Sequence, residues 1–167
     1  DDRICIYSPL EKSQCCDSSG KKIPIYHFDS SNNTFKIDKN HPSGLETGFN
    51  GVYDFTYVVR SSEPDRIYYQ LSEYAFDSVT GHEMFTCGTS NKRRLNHPCV
   101  GDGKDAICAG HMRIKPDGKQ ITINRHSGHY GPGQDNLKIV GNILRGNLED
   151  WDIIEEDLKV SQQAKPQ

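Results

Sequence analysis

Six cysteines, Cys5, Cys15, Cys16, Cys87, Cys99 and Cys108, constrain this chain more than any other feature. They form no CxxC pair and no paired spacing of the zinc-knuckle or zinc-ribbon kind, which favours disulfides over metal. Cross-links are also needed on energetic grounds. Only 34% of the 167 residues are hydrophobic, so burial offsets the entropy of ordering the backbone less generously than in an average domain. The shortage is greatest in residues 1–51, where Ser, Asp, Asn, Lys, Gly and Pro dominate and three of the cysteines lie. That part is expected to be loop-rich and disulfide-stapled. Neighbouring Cys15 and Cys16 cannot easily pair with each other and should reach different partners. All six cysteines are expected in three bridges, with Cys87 joined to Cys99 or Cys108, and the Cys5, Cys15 and Cys16 group forming one local and one long bridge.

A disulfide framework implies an oxidising compartment, and the chain is expected to be secreted. It opens at Asp1 without an apolar leader, as a chain would after removal of a signal peptide. Asn32 begins an Asn-Asn-Thr sequon in a polar stretch, a candidate glycosylation site. No run approaches the roughly 20 apolar residues that span a bilayer, so no membrane partner is expected. The net charge of −3 gives no broad positive field and makes nucleic acid a poor partner. Lys92, Arg93 and Arg94 are a local cationic triplet, with Arg93 and Arg94 as candidate binding residues.

Aromatic and β-branched residues in Val52–Arg60 and Arg66–Phe76 predict two strands, and the second should turn back through 77–81 into another strand before Gly88. The alternation on either side of Pro116-Asp117-Gly118 predicts a second hairpin. Beyond Pro132 the period lengthens. Leu137, Val140, Ile143 and Leu144 make the stripe of one amphipathic helix, starting at Gln134 or Asp135 and ending at Gly146-Asn147. Trp151, Ile153 and Leu158 should point inward from a last strand or irregular edge, and residues 161–167 should fray. The expected fold is therefore α+β: one globular domain over 1–160, mainly antiparallel sheet with one late helix, stabilised by disulfides.

The block from Arg93 to Leu144 resembles one found in plant IQ-motif calmodulin-binding proteins and in related fungal and bacterial hypothetical proteins. The matching positions are His97, Gly103, Ala109, Gly110, Gly118, Ser127, Gly128, His129, Tyr130, Pro132, Asn136 and Leu137, centred on a Ser-Gly-His-Tyr-x-Pro step. The likeness covers about half the chain. No IQ segment is present, so the resemblance does not imply calmodulin as a partner. It implies no catalytic residues either. The sequence departs from the block at His97-Pro98-Cys99 and at Cys108, which reads as adaptation to a disulfide-forming compartment.

Candidate chemistry centres on "RHSGHYGPG", residues 125–133. His97, His111, His126, His129 and Tyr130 could converge beside Arg93 and Arg94, with His97 and His129 as acid and base, Tyr130 or an arginine stabilising negative charge, and His126 binding substrate. The competing reading is a structural corner, in which Gly128 supplies a positive φ, the histidine satisfies buried carbonyls, Tyr130 packs and Pro132 presets the helix start. A metal bound by His126, His129 and Asp135 is a third reading that their spacing supports poorly, and no cofactor is expected. The sequence lacks a nucleophile elbow, a Walker-type loop and a dinucleotide fingerprint. The expected function is a secreted, toxin-like binding or effector module acting on a protein or glycan, with tyrosines in 52–57 and 67–74 as a contact surface. The alternative is a small transferase or hydrolase using His97 and His129.

Overall fold

The computed structural model describes residues 15, 22–28, 35, 53–76, 83–84, 93–115, 118–127 and 130–157; for 73–76, 83–84 and 93–94 the description is of the backbone. Six strands, β1 (Tyr26–Phe28), β2 (Tyr53–Arg60), β3 (Ile67–Leu71), β7 (Ala106–Lys115), β8 (Gln120–Ile123) and β9 (Asp152–Glu155), form one sheet in the order β1-β3-β2-β7-β8-β9. All neighbours are antiparallel except β8 and β9, which are parallel. A smaller sheet sets β4 (Glu73–Phe76) between β5 (Glu83–Met84) and β6 (Arg93–Arg94). Among the described residues, two helices complete an α+β fold: α1 (His97–Gly101) and α2 (Gln134–Asn147).

The period-two pattern of β2 sorts its side chains between two cores. Tyr53, Phe55, Tyr57 and Val59 face one core together with Met112 and Ile114 of β7, and α2 closes that core with Leu137, Val140 and Leu144. Val58 and Ala109 face the opposite side, where Val100 and Cys99 of α1, Leu95, Ile23 and Tyr130 form the second core. The late helix thus follows the expected stripe, and Trp151 and Ile153 pack against its core; Leu158 and the 161–167 tail lie outside the described residues. Of the tyrosines expected as a contact surface, Tyr53, Tyr57 and Tyr69 are instead fully buried, because they fall on the inward positions of central strands; Tyr68 is half-buried, and the Tyr74 side chain lies outside the description.

Three features depart from the sequence expectation. The 66–76 strand is two strands, broken at Ser72, whose N–H bonds to Asp54 O while the chain passes from the large sheet into the small one. The expected return strand does pair with β4, at Ala75↔Met84 and Phe76↔Glu83. A first helix, α1, is added: Asn96 caps it by accepting from the Cys99 N–H at 3.2 Å, and Pro98 sits in its first turn where no amide is needed. The third departure concerns cysteines. Cys99 pairs with Cys15 rather than Cys87, joining the N-terminal segment to α1 across 84 residues. Cys108 keeps its thiol, because it sits on a central strand facing the first core with no exposure. Tyr57 donates its one hydroxyl proton to Asn124 O at 2.7 Å, which leaves Cys108 S–H as the donor in the 3.4 Å contact with Tyr57 Oη. Burial and the Cys108 sulfur beside it push the Tyr57 hydroxyl well above its ordinary pKa, so it stays protonated. Cys5, Cys16, Cys87 and the Asn32 sequon lie outside the described residues.

Candidate functional site

The segment after β8 is set by one close approach. Gly110 on β7 leaves no room for a side chain: a Cβ there would stand 2.0 Å from the Asn124 carbonyl oxygen and 3.0 Å from Arg125 Cα. Backbone therefore passes directly against backbone, and Asn124 fastens the crossing. Its Oδ1 accepts the N–H of His111 at 2.9 Å and of His126 at 3.0 Å, its N–H donates to His111 O, and its carbonyl accepts from Tyr57. No sequence motif singles out Asn124. Its only signal is a turn-prone residue at the end of an alternating run.

This crossing brings together some of the expected residues. His97 on α1 and His111 on β7 are neighbours, with ring centroids 5.3 Å apart in an edge-to-face arrangement. A polar file continues across the second face of the sheet: Ser72 Oγ lies 3.4 Å from His111 Nδ1 and 2.9 Å from Thr56 Oγ1. His126 joins them through Asn124, and its Nε2 is buried with no hydrogen-bond partner among the described residues. Tyr130 reaches the same core, where its hydroxyl donates to Lys104 O at 2.7 Å. Gly128 and His129 lie outside the described residues, as do the side chains of Arg93 and Arg94, whose backbone pairs with β4 at Tyr74 and Glu73. Asp135 is exposed in the first turn of α2, and the described residues contain no group of three metal-ligating side chains.

What this cluster can do is set by burial. His97 is 6% exposed, and its Nε2 lies 2.8 Å from the carbonyl oxygen of Gly110. A carbonyl only accepts, so Nε2 carries the proton, and that nitrogen is committed to the backbone on a ring almost closed to solvent. The Ser72–His111 contact has the chemical form of a hydroxyl beside a base, but at 3.4 Å it exceeds the roughly 2.6–3.2 Å of a working pair, and Ser72 is 7% exposed. The turn itself is closed by Ser127, whose Oγ accepts from Tyr130 N and whose O accepts from Gly131 N, with Gly131 at φ 57°. Asn136 Oδ1 then accepts from Gly133 N–H at 2.8 Å and starts α2. Within the described part of "RHSGHYGPG", the Ser127 and Arg125–Pro132 contacts close the corner, while Arg125 also pairs with Asp157 and Tyr130 with Lys104 O, tying the corner to its neighbours.

An open recess of about 440 Å³ lies on the same side of the sheet, between Lys22–Ile25 and α1, reaching Arg60, Cys99 and Asp102. Arg60 is held over the Tyr68 ring at 3.5 Å and donates to Val100 O at 2.9 Å. Glu63 braces this arrangement: its carboxylate accepts from Tyr68 Oη at 2.7 Å and Arg66 at 2.9 Å and lies 3.6 Å from Arg60. The Tyr68 hydrogen bond, with smaller help from Arg60 and Arg66, holds the Glu63 carboxyl below its ordinary pKa. A carboxylate depressed in the folded state stabilises fully above its unfolded pKa, and that contribution is lost as pH falls through the folded value. Denaturant titrations should therefore show a Glu63→Gln variant losing less stability than the parent chain as pH falls from about 5 into the range below 4.

Comparison with family models, with curated proteins and with solved structures finds no match.

Proposed function

We propose that the chain is a secreted, disulfide-stabilised binding or effector module, toxin-like in kind, that engages an extracellular or target-cell protein or glycan and does not transform it. The observation that carries this reading is His97, buried and bound to the Gly110 carbonyl, which removes the best candidate acid or base from solvent. The Cys15–Cys99 bridge supports an oxidising compartment. A mainly antiparallel sheet with one side open at a recess supplies a rigid platform of the kind binding modules use. Kinship with the Ser-Gly-His-Tyr-x-Pro proteins is part of the proposal, supported by the matched Gly110, Tyr130 and Pro132 all falling where the corner needs them.

The test is to present the oxidised chain with arrays of cell-surface proteins and glycans, then recover the bound molecule and weigh it. Saturable binding with the ligand's mass unchanged is expected. A ligand released chemically altered, with the alteration lost in His97→Gln, would overturn the reading in favour of the transferase or hydrolase that pairs His97 with His129.

A further inference from the structure

The recess beside α1 holds an unusual balance of charge. Lys22 and Asp102 are both exposed on its rim, and neither has an ion-pair partner among the described residues. Arg60 lies deeper, its side chain 12% exposed. Its guanidinium has five N–H donors, of which one is used at hydrogen-bond distance by Val100 O. Nε is buried with no partner, and the nearest carboxylate, Glu63, stands at 3.6 Å and is already shared by Tyr68 and Arg66. Arg60 is thus a permanently charged group on the wall of the recess whose remaining donors the described residues do not saturate, so an acceptor entering the recess meets a cation there. Ile23, Pro24 and Cys99 add apolar wall.

We infer that this recess binds a single carboxylate of a peptide segment, an aspartate or glutamate side chain whose oxygens accept from Arg60 and Lys22. The inference deepens the binding-module reading and rests on it. Asp102 decides the ligand class: its carboxylate repels a second negative charge, which disfavours a phosphate dianion, and it can accept from an amide N–H next to the bound residue. The side-chain methylenes of the ligand lie against Ile23 and Pro24. The Cys15–Cys99 bridge and the Ile23 N–H to Cys15 O bond at 2.9 Å hold the Lys22 wall in place before any ligand arrives.

The experiment is a chemical-shift titration of the full oxidised chain with N-acetylglutamate methylamide, and with its glutamine counterpart, inorganic phosphate and glucuronate in parallel. Saturable shifts at the amides of Lys22, Ile23, Ile25, Arg60 and Asp102 are expected with the glutamate probe, at least about tenfold tighter than with glutamine. Lys22→Glu, an exposed change that leaves the core intact, should weaken the glutamate probe about tenfold. Equal binding of the glutamine probe, no saturable shift, or tighter binding of phosphate or glucuronate would overturn the inference. A chain that captures an unaltered partner yet gives no shift here loses this site alone. A chain that transforms its ligand loses the binding-module reading, whatever the recess does.

Discussion

Replacing Gly110 with alanine should lower stability by roughly 3–5 kcal/mol, among the largest effects of any single methyl group in this chain. The added Cβ meets the Asn124 carbonyl at 2.0 Å and the Arg125 backbone at 3.0 Å, and neither is the movable end of a side chain. Relief requires the crossing segment to lift from β7. Lifting breaks the Tyr57 bond to Asn124 O and withdraws Asn124 Oδ1 from the amides of His111 and His126. Tyr57 is fully buried, so its hydroxyl would lose its acceptor in a place water does not reach. For a chain of this size the melting temperature should fall by about 10 °C, or the variant should fail to fold. A parent-like melt would mean that Gly110 does not hold the crossing.

Breaking the Cys15–Cys99 bridge by Cys15→Ser should cost about 4–5 kcal/mol, since the closed loop of 84 residues is long and the chain-entropy estimate grows with its logarithm. Denaturant midpoints of the parent and variant chains measure this, and a non-reducing peptide map should recover the peptides of Cys15 and Cys99 joined. Cys108→Ser should respond differently. It lies in the core as a thiol donor to Tyr57, so its effect should be the same in oxidised and reduced samples.

The two cysteine outcomes show what the sequence could and could not reveal. Metal-type spacing is a local property and its absence is readable, but the choice of partner depends on which strands meet, and nothing near Cys99 distinguishes Cys15 from Cys87. The α2 stripe was legible because 14 residues give several turns of a 3.6-residue period. Helix α1, of 5 residues, is too short to show a period, and its only signal is the Asn96 cap followed by Pro98. The parallel pairing of β9 with β8 follows from strand, helix and strand in succession, a pattern that the hairpins before it obscured. Among the site residues, His97, His111 and Tyr130 were recognisable by type, and two of them do meet. The burial of His97 and Tyr130 was not recognisable, because it comes from packing against elements distant in sequence, and the Gly110 crossing beside them likewise depends on a contact between residues fourteen apart.

Whether the His97 imidazole belongs to the core decides between a binding module and an enzyme. The melting temperature of His97→Ala tests this most directly. Removing the ring deletes its hydrogen bond to the Gly110 carbonyl and leaves a cavity beside His111, so stability should fall by about 2–4 kcal/mol and the melt by at least about 5 °C. An unshifted melt, with binding or any activity of the chain abolished, would contradict the account and return His97 to the chemistry of a reaction.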